Sequence, residues 1–399
     1  MKLKDCCAII AGQSPESSSY NMDGIGLPFF QGKTEFGELY PTIKNYCSQP
    51  KKIAEKDDIL LSVRAPIGPT NLSPTRVCIG RGLSAIRPDA SILSIKYLLH
   101  FFRYIEKSLS EKGTGTTFKA ITQDVVKNIE VPVIPLKEQK RIVNKIEELF
   151  SELDSAVETL KKTKEQLVVY RQSVLKEAFE GNFTEVWRKR NKIQKDWMAA
   201  PIQGFIKKEK NSLKAGPFGS ALKKEFYVPS GYKVYGQEQV IAGDETIGDY
   251  YINQAKYEDL ISCKVAPNDV LISLVGTVGK VLVLSPKCEA GIINPRLIKI
   301  SLDSSKMLPY FFKYYFESGY LKSLYKQKVH GETMDVLNMG MIKELPFPSC
   351  SVDEQREVLK EIGRHFSLCE NIEKTVNDAL IQADAMRQSI LKKAFEGGI

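Results

Sequence analysis

Cysteine and histidine are the side chains from which metal centres and nucleophile–base pairs are most often built, so their spacing is informative first. The eight cysteines (Cys6, Cys7, Cys47, Cys78, Cys263, Cys288, Cys350 and Cys369) include no C-x-x-C pair, and His100, His330 and His365 stand far apart in no metal-binding spacing. A zinc site or a catalytic triad therefore has little to be built from, and scattered thiols fit a reducing compartment in which they pack. Two nucleotide chemistries can be checked by motif. "NPRL" (294–297) fails the N-P-P-[FY] and D-P-P-Y patterns of adenine methylation, and "GTVGKV" (276–281) lacks the spacing and hydroxyl of a G-x-x-x-x-G-K-[ST] phosphate loop. What remains is binding. With 57 Lys and Arg against 48 Asp and Glu, the formal charge of +9 fits a polyanionic target, although charge predicts association rather than reaction.

The elements that must position any binding residues come in two copies. "RQSVLKEAFEG" (171–181) returns as "RQSILKKAFEG" (387–397), and at the same offset of 216 "EQKRIVNKIEELF" from Glu138 meets "EQREVLKEIGRHF" from Glu354. At an offset near 211, "DDILLSVRAPIG" (57–68) faces "NDVLISLVGTVG" (268–279). A small change of offset is what loop insertion produces, because packed elements do not tolerate it. A chain of 399 residues, 43% hydrophobic and 26% charged, is globular and long enough for two or more domains. It holds no apolar run able to span a bilayer and no secretory signal, which points to a cytoplasmic protein with no membrane partner.

Two textures alternate. Residues 1–135 and 196–349 are rich in Gly, Pro and short β-branched runs and read as mixed α/β globules, with helices near 93–111 and 305–327. Residues 136–195 read as a helical spacer and linker, and 350–399 as a second spacer, each helix ending at a glycine cap. Ile146, Leu149, Leu153, Ala156, Leu160, Thr163, Leu167, Tyr170 and Val174 step alternately by three and four, as do Ile362, His365, Cys369, Ile372, Val376, Ala379, Ala383, Met386 and Ile390. A sustained 3.5-residue period marks a coiled-coil seam, so the two helices are expected to pair antiparallel. At about 1.5 Å per residue, a helix of about 45 residues reaches about 65–70 Å, roughly two turns of B-DNA.

The order globule, long helix, globule, long helix, with "PLKEQKRIVNKIEELF" opening the first helix, "LKEAFEGNFTEVWR" closing it and "LKKAFEG" closing the second, resembles the specificity subunit of type I restriction-modification systems. "IPLKEQ" and "CSVDEQ" are similar to that family's helix starts, "GPFGSALKKEFYVPSGYKVYGQ" (216–237) to the opening of a target recognition domain, and "DDILLSVRAPIG" and "NDVLISLVGTVG" to its central strand. The resemblance implies an α+β fold: two similar globular target recognition domains separated by two long antiparallel coiled-coil helices, with a pseudo-two-fold internal repeat. It implies a non-catalytic chain whose domains each read half of a bipartite double-stranded DNA site while the helices set the spacer. Its partners would be modification subunits, which use S-adenosylmethionine, and restriction subunits, which use ATP and Mg; this chain would bind no cofactor itself.

Candidate DNA contacts are polar side chains beside glycines, where the backbone can approach a base edge or phosphate. In the first globule these are Gln31 and Lys33 in "FFQGKTEFG", Arg64, Arg81 and Lys119; in the second they are Gln237 and Gln239 in "YGQEQV", Lys280, Arg296, His330 and Thr333. Arg64 faces Val275 while Gly68 faces Gly279, so backbone devices agree where side chains differ, as two different half-sites require. For the modification subunits the candidates are Glu138 with Gln139, Glu354 with Gln355, and the helix endings at Phe179 and Phe395. The competing reading is a coiled-coil scaffold that binds proteins and has no sequence-specific affinity for DNA.

Overall fold

The computed structural model describes residues 1–114, 119–194, 197–275, 277–328 and 337–398. The chain forms two compact units, one of Met1–Lys162 with Val376–Ile399, the other of Thr163–Thr375. Each long helix, Leu136–Phe179 or Val352–Phe395, gives one half to each unit, because each half buries its apolar stripe on the globule it meets.

The same two-sheet topology is built twice. In the first unit Cys7–Ala11, Leu83–Pro88, Ile59–Ser62 and Thr70–Leu72 form an antiparallel sheet in that order. A second sheet runs Tyr20–Asn21, Asn45–Cys47, Leu27–Phe30, Val77–Ile79, Ile53–Ala54, with Phe29 beside Cys78 in a parallel pair. The second unit repeats this with Leu213–Ala215, Leu297–Ile300, Val270–Ser273 and Val281–Val283, then with Tyr227–Val228, Tyr251–Ile252, Tyr232–Tyr235 and Gly291–Ile293, where Val234 lies beside Ile292 in parallel. "ILLS" and "VLIS" are interior strands, buried along their whole length, which is why they read as unbroken apolar runs. The turns before them are alike to the atom: Asp57 and Asn268 both sit at φ +66°, a conformation short polar side chains tolerate, and Asp58 and Asp269 accept the amides of Glu55 and Ala266 at 2.8 Å.

In the first unit the expected helix occurs at Ile95–Glu111. The expected helix at 305–327 is instead two, Pro309–Phe316 and Gly319–Lys328. Ser318 breaks it by accepting the Leu321 amide (3.4 Å) as a cap, while the Glu317 carboxylate is drawn to the Val281 amide (3.0 Å).

Both long helices are continuous over 44 residues, and Gly181 and Gly397 follow them at φ +79° and +87°, the left-handed conformation that a glycine C-cap supplies. Within each unit the helix halves run antiparallel. In the first, Ile142 and Ile146 share a core with Leu391 and Ala394, and farther along the Arg387 guanidinium covers Phe150 and pairs with Asp154. In the second, Val174 and Ala178 share a core with Val358 and Ile362, and Arg171 pairs with Glu373 at 3.2 Å. Burial follows a seven-residue step: Ile146, Leu153, Leu167 and Val174 are buried, as are Ile362, Cys369, Val376 and Ala383. The alternate seam positions Ala156, Tyr170, Ile372 and Met386 are exposed.

Candidate nucleic-acid interface

The helix starts serve the fold rather than a partner. Gln139 is fully buried: its Oε1 accepts the Ser94 amide (2.8 Å), and its Nε2 donates to the carbonyls of Ile92 and Ile134 (both 2.8 Å). Gln355 repeats the bracket, accepting from Leu308 N (2.8 Å) and donating to Lys306 O (2.7 Å) and Cys350 O (3.1 Å). Every polar atom of both amides is occupied, so the expectation that Gln139 and Gln355 meet a modification subunit is overturned. Glu354 is likewise buried, taking 2.6 Å and 2.8 Å bonds from Arg188 Nη1 and Thr184 Oγ1, while Arg188 Nη2 holds the Gly181 carbonyl at 2.7 Å. Glu138, its counterpart, is only half-buried and pairs with Arg141 (2.8 Å). Phe179 packs edge-on against Phe311 and Tyr315, and Phe395 stacks on Tyr104 and tilts onto Tyr97, so both half-buried rings pack against the cores of their units.

The loop residues have a different placement. In both units matched backbone bonds draw several loops at the strand ends together. Gly12 N donates to Leu83 O, Gly80 N to Phe30 O and Val63 N to Gly82 O (2.8–3.0 Å); Gly216 N donates to Leu297 O, Asn294 N to Tyr235 O and Leu274 N to Arg296 O (2.9–3.0 Å). A side chain at Gly216 would meet Asn294 O at 1.8 Å, so this approach requires glycine.

At these loops of the first unit Gln31, Arg64, Arg81 and Lys119 are all exposed. The Ser14 hydroxyl ties Gln31 to Arg81: Gln31 Nε2 donates to it at 2.8 Å, it reaches Gln31 Oε1 at 3.1 Å, and the Arg81 amide donates to it at 3.3 Å. Gln31 and Arg81 line a cleft of about 560 Å³ with Tyr20, Phe29 and Asn45. Arg64 pairs in a bridge with Ala120, which brings Lys119 alongside. Lys33 lies apart, with Arg103 and Glu106 around a second cleft, where burial raises the Glu106 carboxyl above its ordinary value against the pull of Lys33 and Arg103.

In the second unit Arg296 and Lys280 are exposed at the matching end. Gln237 is half-buried, with its Nε2 on Ser273 Oγ (2.8 Å) and Val275 O and its Oε1 facing Arg296 Nη1 (3.4 Å), so it orients the guanidinium. Gln239 is not a DNA contact: it is buried, accepting the Gly236 amide (2.7 Å) and donating to Ile247 O (2.9 Å) as a helix cap. His330 and Thr333 lie outside the described residues. The thiols pack as expected, and burial pushes Cys78 and Cys350 up to about 12, far from nucleophilic.

Residues 1–167 match the family model for the type I restriction modification DNA specificity domain. A putative type I restriction enzyme MjaX specificity subunit of Methanocaldococcus jannaschii is 40% identical over 167 residues, 42% of this chain and 38% of that one. The StySPI specificity subunit of Salmonella potsdam is 24% identical over 381 residues, 92% of this chain and 80% of its own length. Residues 1–167 thus match a type I DNA specificity domain, and the chain is similar along most of its length to type I specificity subunits. A solved structure described as the structural basis of complex assembly and conformational transition of the type I R-M system superposes at a TM-score of 0.72 over 100% of this chain and 97% of its own, with 18% identity, which supports the fold. This chain thus spans about two fifths of the first relative and four fifths of the second.

Two sets of residues escape a reading of the sequence. Ser14 gains its role only through strand pairing, which brings it to Gln31 and Arg81. Exposed apolar side chains on the long helices are the other set: Val168, Val169 and Tyr170 with Leu368 and Ile372 in the second unit, Ile381 and Met386 in the first. The seam count includes Tyr170, Ile372 and Met386, whose positions alternate with the buried step, but it does not reveal that they stand exposed.

Proposed function

We propose that this chain is the DNA-reading subunit of a type I restriction-modification complex, in which each unit reads one half of an asymmetric bipartite site and the long helices set the unread spacer. One observation carries the reading: the same loop end occurs twice on one backbone frame with different side chains. By the matched bonds, Gln31 stands where Gly236 does, Arg64 where Val275 does, Gly82 where Arg296 does and Ser14 where Phe218 does. A frame held constant with its tips exchanged is what two different half-sites demand. Arg81 suits guanine and Gln31 adenine, each offering two hydrogen-bonding atoms to one base edge, while Arg64, Lys119, Lys280 and Arg296 supply cations for phosphates.

Modification subunits dock on the helices through the exposed apolar residues, with Val169 66% and Ile381 69% accessible. Side chains of this kind are otherwise an unfavourable surface, and helices offering apolar positions outside their own seam accept further helices. No helix among the described residues is long and apolar enough to cross a membrane, and the complex works in the cytoplasm, where its DNA lies. The chemistry belongs to the partners: S-adenosylmethionine to the modification subunits, ATP and Mg to the restriction subunits. The test is to co-express the chain with a modification subunit and sequence the host DNA for methylated adenine. A two-part motif that appears only with this chain is expected; co-purification without any such motif would favour the protein scaffold.

A further inference from the structure

Phe218 is 91% exposed, the most exposed large apolar side chain of the molecule's described residues. Leaving a phenylalanine in water forgoes about 2–3 kcal/mol of burial, so a ring held out this far on an ordered frame is unusual. The frame is rigid at its base. Gly216 is wedged against the Asn294 carbonyl and hydrogen-bonded to Leu297 O at 2.9 Å, and Pro217 is buried with its φ fixed by the ring. Downstream the Phe218 carbonyl accepts the Ala221 amide at 2.8 Å, closing a single 3₁₀ turn, Gly219–Ala221. Phe218 therefore projects from the loop end that carries Arg296 and Lys280.

The surroundings select the partner. Arg296 is presented by Gln237 and Lys280 is exposed, and the segments 274–280 and 294–296 contain no acid. Cations and an exposed aromatic ring on one loop end are the pairing of features by which proteins hold nucleic acid, the cations on phosphates and the ring on a base face or between base steps. At the matching position of the first unit stands Ser14, which points inward to Gln31 and Arg81. The two units thus differ in mode of contact as well as in bases read.

We propose that Phe218 is a base-stacking wedge, by which the second unit contacts an unstacked or partly opened base step in its half-site while the first unit reads by hydrogen bonds alone. This inference rests on the DNA-reading function proposed above. One aromatic–base stack is worth about 5- to 100-fold in Kd.

The experiment uses the full chain co-purified with its modification subunit, and the variants F218A, F218S (which copies Ser14) and F218W. Binding is measured to duplexes carrying 2-aminopurine at each adenine of the two half-sites in turn. Apart from the rise at each adenine that the modification subunits themselves flip out, fluorescence with the unsubstituted chain should rise at one further step, in one half-site only. F218A and F218S should lose that rise and weaken binding about 5- to 100-fold with the dependence on salt unchanged, since no charge is removed, whereas F218W should keep both. R296A should instead flatten the logarithmic salt slope by about one and leave the fluorescence rise in place. F218A or F218S that binds as tightly as the unsubstituted chain, with the same fluorescence, overturns the wedge alone. An unsubstituted complex that shows no sequence-specific binding overturns the DNA-reading function first, and the wedge with it.

Discussion

Replacing Gln139 by Leu should loosen the first unit, and replacing Gln355 by Leu should loosen the second, by nearly the same amount. Each amide makes three hydrogen bonds from a fully buried position, and Leu keeps much of the volume while keeping none of them. The cost has two parts: the lost bonds, and the stranding of one amide N–H and two carbonyls in the interior. A buried polar group left unsatisfied costs about 1–3 kcal/mol, and carbonyls that relax toward water recover part of that, so about 3 kcal/mol per bracket is expected. For units of this size 1 kcal/mol moves Tm by about 2–4 °C, which gives a fall of about 6–12 °C. Because the two units can melt separately, the assay is calorimetry with hydrogen exchange resolved by segment. Q139L should speed exchange in 92–98 and 134–146 and leave 306–312 and 350–362 protected; Q355L should do the reverse. Variants that melt within about 1 °C of the parent, or that bind a modification subunit less well without melting earlier, would refute the bracket and restore a docking role to these glutamines.

Three further predictions concern other sites. Arg188→Ala should destabilise the second unit by about 3–5 kcal/mol because it strands the buried Glu354, whereas the double change Arg188→Met with Glu354→Leu should recover most of that, as read by urea denaturation. His100 is buried edge-on against Phe150, its Nδ1 has no partner, and burial lowers its pKa to about 4; the unfolded chain therefore takes the proton first, and the first unit should lose about 2–3 kcal/mol as pH falls from 6.5 toward 4. His100→Leu should flatten that part of the pH–stability profile. Arg81→Ala should relax specificity at one base of the first half-site, while Lys119→Ala should weaken all sites alike and lower the salt slope by about one, both read by titrating DNA at several salt concentrations.

Much of the frame was legible because it depends on short-range rules. The doubled phrase, the 3.5-residue period and the glycine caps each rest on residues within a turn or two of one another, and the apolar runs "ILLS" and "VLIS" announce buried strands without help from distant chain. The site was less legible because its geometry is set by pairing across long separations. Gln31 meets Ser14 and Arg81 only when three loops are tied together at the strand ends, and Gln139 meets Ser94 and Ile92 only when the helix docks on its globule. A polar residue at a helix start reads as solvent-facing from its neighbours alone, and tertiary partners reversed that for Gln139, Gln239, Glu354 and Gln355. In the single helix expected at 305–327, local propensity gave way to a cap at Ser318.

Comparing the two units separates what maintains the fold from what reads a target. The glutamine bracket, the Asp58 and Asp269 turns and the three loop-end backbone bonds are the same in both, though the sequences around them differ widely, so these are the parts whose loss the fold does not tolerate. Glu138 and Glu354 show the opposite case. Both are glutamates preceding the bracket glutamine, yet Glu354 is buried because residues 182–191 fold back and bring Arg188 and Thr184 to it, while Glu138 stays half-buried at the surface with Arg141. Residue identity at a repeated position therefore does not fix its role; the chain packed against it does. The same reasoning applies to the loop tips, where Ser14 and Phe218 share a backbone position and differ in everything a DNA duplex would meet. Exchange of Ser14 and Phe218 alone should consequently alter half-site preference with little movement of Tm, because no backbone bond of the shared frame passes through either side chain.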